Sequence, residues 1–175
     1  MITDKGGFQI ETERLYLRKM TENDFGDLYE VLADSDIMRH YPYTFDEERV
    51  RRWINKNIDR YRVFGFGLWA VVLKENGKMI GDCGLTMQNI DGNILPEIGY
   101  HIAKKYQCKG YAKEAARKCR DWAFENTPFN VLYSYMKKDN LPSAATARAA
   151  GMTKVSEFTD SENELSEIYA VARER

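Results

Sequence analysis

Along the chain the spacing of apolar side chains changes period several times, and each change marks an element. Arg14-Leu-Tyr-Leu-Arg18 alternates polar and apolar residues, the two-residue period of a half-buried strand. Thr21-x-x-Asp24 then offers a capping pattern for a helix over about Glu22–Ala33, with Phe25, Leu28, Tyr29 and Leu32 on one face. A second box, Thr44-x-x-Glu47, predicts a helix to about Tyr61, with Val50, Trp53, Ile54, Asn57 and Ile58 at helical spacing. The period then returns to that of strands. Gly67–Leu73 and Met79–Met87 are joined by Asn76-Gly77, a strong hairpin turn, and Asp91-Gly92-Asn93 leads into Leu95–Ala103. Three strands in a row predict an antiparallel meander. From Gly110 to Glu125, the residues Ala112, Ala115, Ala116, Cys119, Trp122 and Ala123 make one small-residue stripe of a helix. Val131–Lys137 reads as a strand and Asn140–Ala150 as a short helix stopped by Gly151. Met152–Phe158 and Ser166–Val171 form a last hairpin around Asp160–Asn163. The order β-α-α-β-β-β-α-β-α-β-β predicts a single α/β domain over residues 1–175, with a mixed sheet.

Composition narrows the function classes. A chain of 175 residues can bury a sizeable core, and 43% hydrophobic with 30% charged residues is ordinary for a globular protein. A net charge of −1 gives no global basic field, so nucleic acid is not the expected partner. No apolar run approaches the roughly 20 residues that span a bilayer. Met1–Gln9 lacks the apolar centre of a signal peptide, so the expectation is a cytoplasmic protein with no membrane partner. Cys83, Cys108 and Cys119 are odd in number and form no CxxC pair. With only His40 and His101 to add, they argue against a disulfide framework, a zinc site or a catalytic metal.

The chemistry concentrates in Glu97-Ile-Gly-Tyr-His-Ile-Ala-Lys-Lys-Tyr-Gln-Cys-Lys-Gly-Tyr-Ala-Lys-Glu-Ala, where a strand ends, a polar loop follows, and a helix begins at a glycine. The first turn of a helix has unpaired N–H groups and a partial positive charge, so it suits a phosphate. Gly110 lets the backbone approach closely, Ala112 has almost no side chain, and Lys104, Lys105, Lys109 and Lys113 surround the loop. By itself such a turn is also compatible with a plain loop. It is neither a Walker A loop nor a dinucleotide fingerprint, which need more glycines at other spacings.

Gln107-x-x-Gly110-x-Ala112 resembles the Q/R-x-x-G-x-G/A loop of the GNAT superfamily of N-acetyltransferases. Glu11-Thr-Glu-Arg-Leu-Tyr-Leu-Arg18 and Glu97-Ile-Gly-Tyr100 are similar to the opening and fourth strands of its RimJ/RimL-like branch. Asn140-Leu-Pro-Ser143 with Gly151-Met152 is similar to that branch's N-x-x-S…G-F/M helix. The resemblance implies a mixed, mostly antiparallel central sheet flanked by helices. It also implies acetyl-CoA as cosubstrate without a metal, and a primary amine as acceptor: a protein N-terminus such as that of a ribosomal protein, or a small molecule. Whether the chain forms a homodimer stays open. The loop Gln107, Cys108, Lys109, Gly110, Tyr111, Ala112 and Lys113 would hold the CoA pyrophosphate. Backbone groups of Ile102 and Ala103 would pair with pantetheine, and Asn140 and Ser143 would contact CoA. The sequence departs from the family where many members carry a tyrosine acid, since Ala147 stands there, and where Arg148-Ala149 replaces a Glu-Lys pair. That missing acid keeps alive an alternative, an acyl-CoA-binding module with weak catalysis.

Aminolysis of a thioester asks for a base on the amine, stabilisation of an oxyanion, and help for the leaving thiolate. Glu97, at the start of its strand, is the candidate base, directly or through water; otherwise it is a solvated carboxylate or the partner of a nearby arginine. His101 lies on the same strand face and is either a proton relay or a packed histidine. Ser143 is the candidate donor to the thiolate, or else an ordinary first-turn serine. Direct transfer needs no covalent enzyme intermediate, so Cys108 reads as a loop thiol. Arg39-His-Tyr-Pro-Tyr-Thr-Phe45 and Trp53 are read equally as acceptor site or core.

Overall fold

A computed structural model describes residues 8–174; the Met1–Gly7 part of the N-terminal segment lies outside them. The strands are β1 Phe8–Glu11, β2 Leu15–Arg18, β3 Leu68–Leu73, β4 Met79–Ile90, β5 Asn93–Ile102, β6 Val131–Lys137, β7 Thr153–Thr159 and β8 Leu165–Ala172. They form one sheet in the order β1-β2-β3-β4-β5-β6-β8-β7, antiparallel everywhere except between β5 and β6. The helices are α1 Phe25–Leu32, α2 Glu47–Phe64, α3 Tyr111–Asn126 and α4 Leu141–Ala149.

Strand β1 is absent from the sequence reading. Its four residues are too few to carry a period, and a register shift between Phe8 and Ile10 breaks its pairing with β2. Helix α2 starts later than its Thr44 box suggests: Asp46 caps it, its carboxylate accepting the Arg49 N–H at 2.8 Å. The helix ends at Gly65, whose φ of +78° no β-carbon residue adopts cheaply. The first helix opens with a tight turn over Glu22–Asp24, where the Arg18 guanidinium holds the Asp24 carboxylate at 2.7 and 2.8 Å.

One face of the sheet carries α1 and α2, the other α3 and α4. Asn57 belongs to the apolar stripe of α2 for a polar reason: it is fully buried and its Oδ1 accepts the Leu68 N–H at 2.9 Å. Tyr61 clamps the same spot, donating to the Leu68 carbonyl and accepting from Met20 N–H. Removing Asn57 would strand a buried N–H at a cost of about 1–3 kcal/mol. On the other face Ala115, Ala116, Cys119 and Ala123 are fully buried, and their small side chains bring α3 close to the sheet. Trp122 of α3 sets its ring edge-on to Trp69 of β3, 4.8 Å between centroids.

The parallel step between β5 and β6 is the irregular one. A single paired position, Glu97 with Tyr133, joins the strands. Beyond it the Ser134 hydroxyl donates to the Ile98 carbonyl at 2.8 Å, and then the strands part. Carbonyls of alternate residues face the same edge. Ile98 faces β6, so the backbone groups of Tyr100 and Ile102 face the gap as well.

Candidate active site

The side chains of β5 alternate across the sheet. Glu97, Gly99 and His101 project toward α1 and α2, while Ile98, Tyr100 and Ile102 project toward α3 and α4. On the first face each residue meets a cross-strand partner on β4: Glu97 opposite Thr86, Gly99 opposite Gly84, His101 opposite Asp82. Between two polar ends the glycine pair makes a floor with no side chains of its own, over which Gly67 and Leu68 pack. A β-carbon at Gly84 would sit 2.1 Å from the Gly67 carbonyl oxygen, so no side chain fits there.

Glu97 is half-buried, and Thr86 Oγ1 lies 3.4 Å from its Oε2. Burial pushes its carboxyl up to about 7, against the opposing pull of His101, Thr86 and Arg60. A carboxylate poised near neutrality can both take and release a proton.

At the other end of the floor stands a chain of hydrogen bonds that the sequence reading did not assemble. Asp82 is fully buried; its Oδ1 lies 2.7 Å from His101 Nδ1, and its Oδ2 accepts the Trp53 indole N–H at 2.8 Å. The carboxylate fixes the proton on Nδ1, which leaves Nε2 free to accept the Tyr41 hydroxyl at 3.0 Å. Burial alone would lower the pKa of His101, but the charge and hydrogen bond of Asp82, with Glu97 adding, raise it above its ordinary value. The aromatic segment thus divides: Phe45 is core at 5% exposure, while Tyr41 and Trp53 bond into this chain.

On the opposite face the Tyr100 hydroxyl donates to the Ser143 carbonyl at 2.7 Å and lies 3.2 Å from Ser143 Oγ. Burial raises this phenol to about 12. Asn140 caps α4, its side chain accepting Ser143 N–H at 3.3 Å. Ala147, one turn on, is 1% exposed and packed inward. The strand therefore brings a phenol to the helix that lacks one.

The loop before α3 closes this face. Gly110 caps α3 with φ +84° and no side-chain acceptor, so the first-turn amides of Tyr111, Ala112 and Lys113 stay open. Cys108 is exposed at φ +59°. The Gln107 side chain donates to the Ile102 carbonyl at 2.9 Å, and the Ala103 N–H goes to the Ile80 carbonyl at 2.8 Å. Of the two expected pantetheine contacts, Ala103 has its N–H engaged within the sheet; Ile102 keeps its N–H on the gap. The lysines also divide: Lys104 pairs with Asp36 and Lys105 with Glu30, which draws both toward α1. Among the described residues Lys109 and Lys113 have no acidic partner. Unforeseen from sequence is Arg14, which donates to the Lys109 carbonyl at 3.0 Å, stacks on Tyr111 and pairs with Glu114. Glu114 in turn accepts from Thr12 Oγ1 and Arg14 N–H, at 2.6 and 2.9 Å. The motif Glu11-Thr-Glu-Arg14 is a clasp that ties the β1–β2 turn to the loop.

Of the cysteines, Cys83 and Cys119 are buried free thiols with sulfurs 3.4 Å apart. The carboxylates of Asp160, Glu162 and Glu164 gather at the β7–β8 turn, with Lys137 Nζ at 2.5, 2.7 and 2.8 Å from them. No helix among the described residues is long and apolar enough to cross a membrane.

Residues 14–153 match the profile described as "Acetyltransferase (GNAT) domain". The chain belongs to the GNAT acetyltransferase family. It is thereby an acetyl-CoA-dependent N-acetyltransferase acting on an amine acceptor. YkkB of Bacillus subtilis (strain 168) is 33% identical to it over 145 residues, covering 82% of this chain and 84% of YkkB. The crystal structure of a GNAT-family acetyltransferase from Bacillus anthracis superposes with a TM-score of 0.81 at 27% identity, over 93% of this chain and 97% of that one. RimL, a ribosomal L7/L12 alpha-N-protein acetyltransferase solved in complex with coenzyme A, shares the fold at a TM-score of 0.76 and 18% identity, over 92% and 95% of the two chains. The GNAT sheet with its parted central strands is thus the frame on which every group described above is mounted.

Proposed function

We propose that this chain is a single GNAT domain of the RimJ/RimL-like kind, working in the cytoplasm. It transfers the acetyl group of acetyl-CoA directly to a primary amine, either a protein N-terminus or a small molecule. One observation carries the reading: the gap between β5 and β6 has a carboxyl near neutrality on one face and a hydroxyl pair on the other. Attack and leaving-group departure need those two kinds of group on opposite sides of the thioester.

Glu97 is the base for the attacking nitrogen. Ser143, backed by the Tyr100 phenol, donates to the sulfur as charge builds there. The open first turn of α3 and the loop Gln107–Lys113 receive the pyrophosphate, with Lys109 and Lys113 as cations. The N–H of Ile102 and the backbone of Tyr100 face pantetheine across the gap, as an added strand would. Cys108 takes no chemical part. RimL in complex with coenzyme A supports the reading of the cofactor face, and its protein substrate supports a peptide N-terminus as acceptor. The reading is tested by a screen of peptide and small-molecule amines with acetyl-CoA, following thiol release. Turnover with at least one amine, lost in Glu97→Gln, is expected. Thiol release that no amine accelerates would leave only an acyl-CoA-binding module.

A further inference from the structure

A cavity of about 520 Å³ opens between the Arg39–Tyr41 segment, the turn after β6 and the β7–β8 turn, lined by Arg39, His40, Tyr41, Asp139, Glu162 and Glu164. Its wall includes Tyr41, the outer member of the chain that runs through His101 to Asp82. Asp82 touches no solvent, and both its oxygens are bonded. A buried carboxylate is costly unless it is paired. Here its partners are a histidine and an indole, and the histidine ends on a phenol at a cavity wall. Two hydrogen bonds, at 3.0 and 2.7 Å, therefore connect that cavity wall with a buried carboxylate.

We propose that Tyr41, His101 and Asp82 form a relay that strips the proton from the incoming ammonium, with the cavity as the acceptor's entrance. The proposal rests on amine acetylation by this chain. Two protons must leave the acceptor nitrogen, because an ammonium becomes an amide. The first leaves before attack: the ammonium gives a proton to the Tyr41 oxygen while the Tyr41 hydroxyl proton passes to His101 Nε2. No tyrosinate forms, which matters because burial holds the Tyr41 phenol well above its ordinary pKa. The imidazolium is stabilised by Asp82. The nitrogen lone pair then forms the C–N bond, and the C–S bond breaks with its electron pair on sulfur. Glu97 takes the second proton. The thiolate ends protonated as the CoA thiol, and one proton returns to solvent. His101 and Glu97 project from the same face of β5, and the Tyr41 phenol feels the Glu97 charge. The charges facing the relay are Asp82 on β4, Glu97 on β5 and Arg60 on α2, whose charge couples to both carboxylates. At the entrance Glu162 and Glu164 share Lys137 with Asp160, Asp139 lies 3.5 Å from His40, and Arg39 adds a positive charge, so the four carboxylates still outnumber the two permanent cations and the balance favours an incoming cation.

The test compares acceptors of different basicity at pH 7. An alkylamine arrives as an ammonium, whereas trifluoroethylamine arrives neutral and has no first proton to lose. Tyr41→Phe and His101→Gln should each lower kcat/KM about a hundredfold for the alkylamine. They should lower it less than about threefold for the neutral amine, with acetyl-CoA affinity unchanged. Equal losses on both amines would mean a merely structural role and overturn the relay; so would no loss on either. Glu97→Gln should cripple both acceptors. A reading independent of turnover comes from imidazole nitrogen-15 spectra. Wild-type neutral His101 should carry its proton on Nδ1, and Asp82→Asn should redistribute it. A wild-type histidine protonated on Nε2 would sink the proposal even if every amine proved inert.

Discussion

Under the proposed function the two faces of β5 do opposite jobs with opposite materials. Toward α3 and α4 the working parts are largely backbone: an uncapped helix start, a left-handed glycine and strand edges left open by the gap. Side chains add to it at Tyr100 and Ser143, at the loop's Gln107, Lys109 and Lys113, and at the Arg14 clasp. Toward α1 and α2 the working parts are side chains from four separate segments, Tyr41, Trp53, Asp82 and Glu97 with His101. A cofactor identical in every turnover suits a rigid backbone cradle. An acceptor that must be deprotonated needs groups whose proton affinity is tuned by burial and charge. The difference teaches where substitutions act: on binding at one face, on proton transfer at the other.

The sharpest way to break this comparison is Glu97→Gln. It should cut kcat/KM by about 10²–10⁴-fold and leave the acetyl-CoA Kd within about twofold, by stopped-flow assay and calorimetry. A loss under threefold would move the base elsewhere on the acceptor face. Next comes the leaving-group pair. Ser143→Ala should lower kcat by about 10- to 10³-fold, and Tyr100→Phe by about tenfold, both with little change in acetyl-CoA affinity. An acyl donor with a more acidic thiol should shrink both defects. Loss of affinity with kcat intact would instead make Ser143 a cofactor contact.

The pH profile sharpens the acceptor face further. Glu97 acts only when ionised, and its carboxyl sits at about 7. With an acceptor neutral throughout, kcat/KM should therefore fall about tenfold per pH unit below that value and level off above it. Glu97→Gln should flatten the acid limb. On the cofactor face, Gly110→Glu forces a side chain and a negative charge into a residue at φ +84°, and should weaken acetyl-CoA at least about tenfold, or 1.4 kcal/mol. The smallest expected effect is that of Arg14→Ala. Its half-exposed clasp on Lys109 and Glu114 should weaken acetyl-CoA about threefold, with kcat preserved.

What could be read from sequence follows the same division. The candidate phosphate loop is contiguous, so Gln107, Gly110 and Ala112 stand out through their likeness to the family's loop, whereas the turn by itself is equally that of a plain loop. Glu97 is visible because it lies ten residues upstream of that loop, although β5 begins at Asn93 and Glu97 stands mid-strand rather than at the strand start the sequence predicts. Asp82 is not visible, although a lone carboxylate inside the apolar run Met79–Leu85 is itself a signal of a partner. Finding His101 as that partner needs the register of two strands. Arg14 and Glu114 lie 100 residues apart, and no local period links them. The antiparallel meander was legible from Asn76-Gly77 and Asp91-Gly92, whereas the parallel step to β6 depends on how the chain returns after α3.

That parallel step has a mechanical consequence. Strands β1 to β5 and the trio β6, β8 and β7 are sewn together by one paired position and one serine hydroxyl. A seam of that kind is where a sheet opens first, so the two blocks should breathe as separate cooperative units. The amides of Tyr100 and Ile102 should exchange with heavy water before those in the interior of β4. A ligand lying along the seam would act as a suture, merging two units into one and raising the melting temperature with the logarithm of its free concentration above Kd.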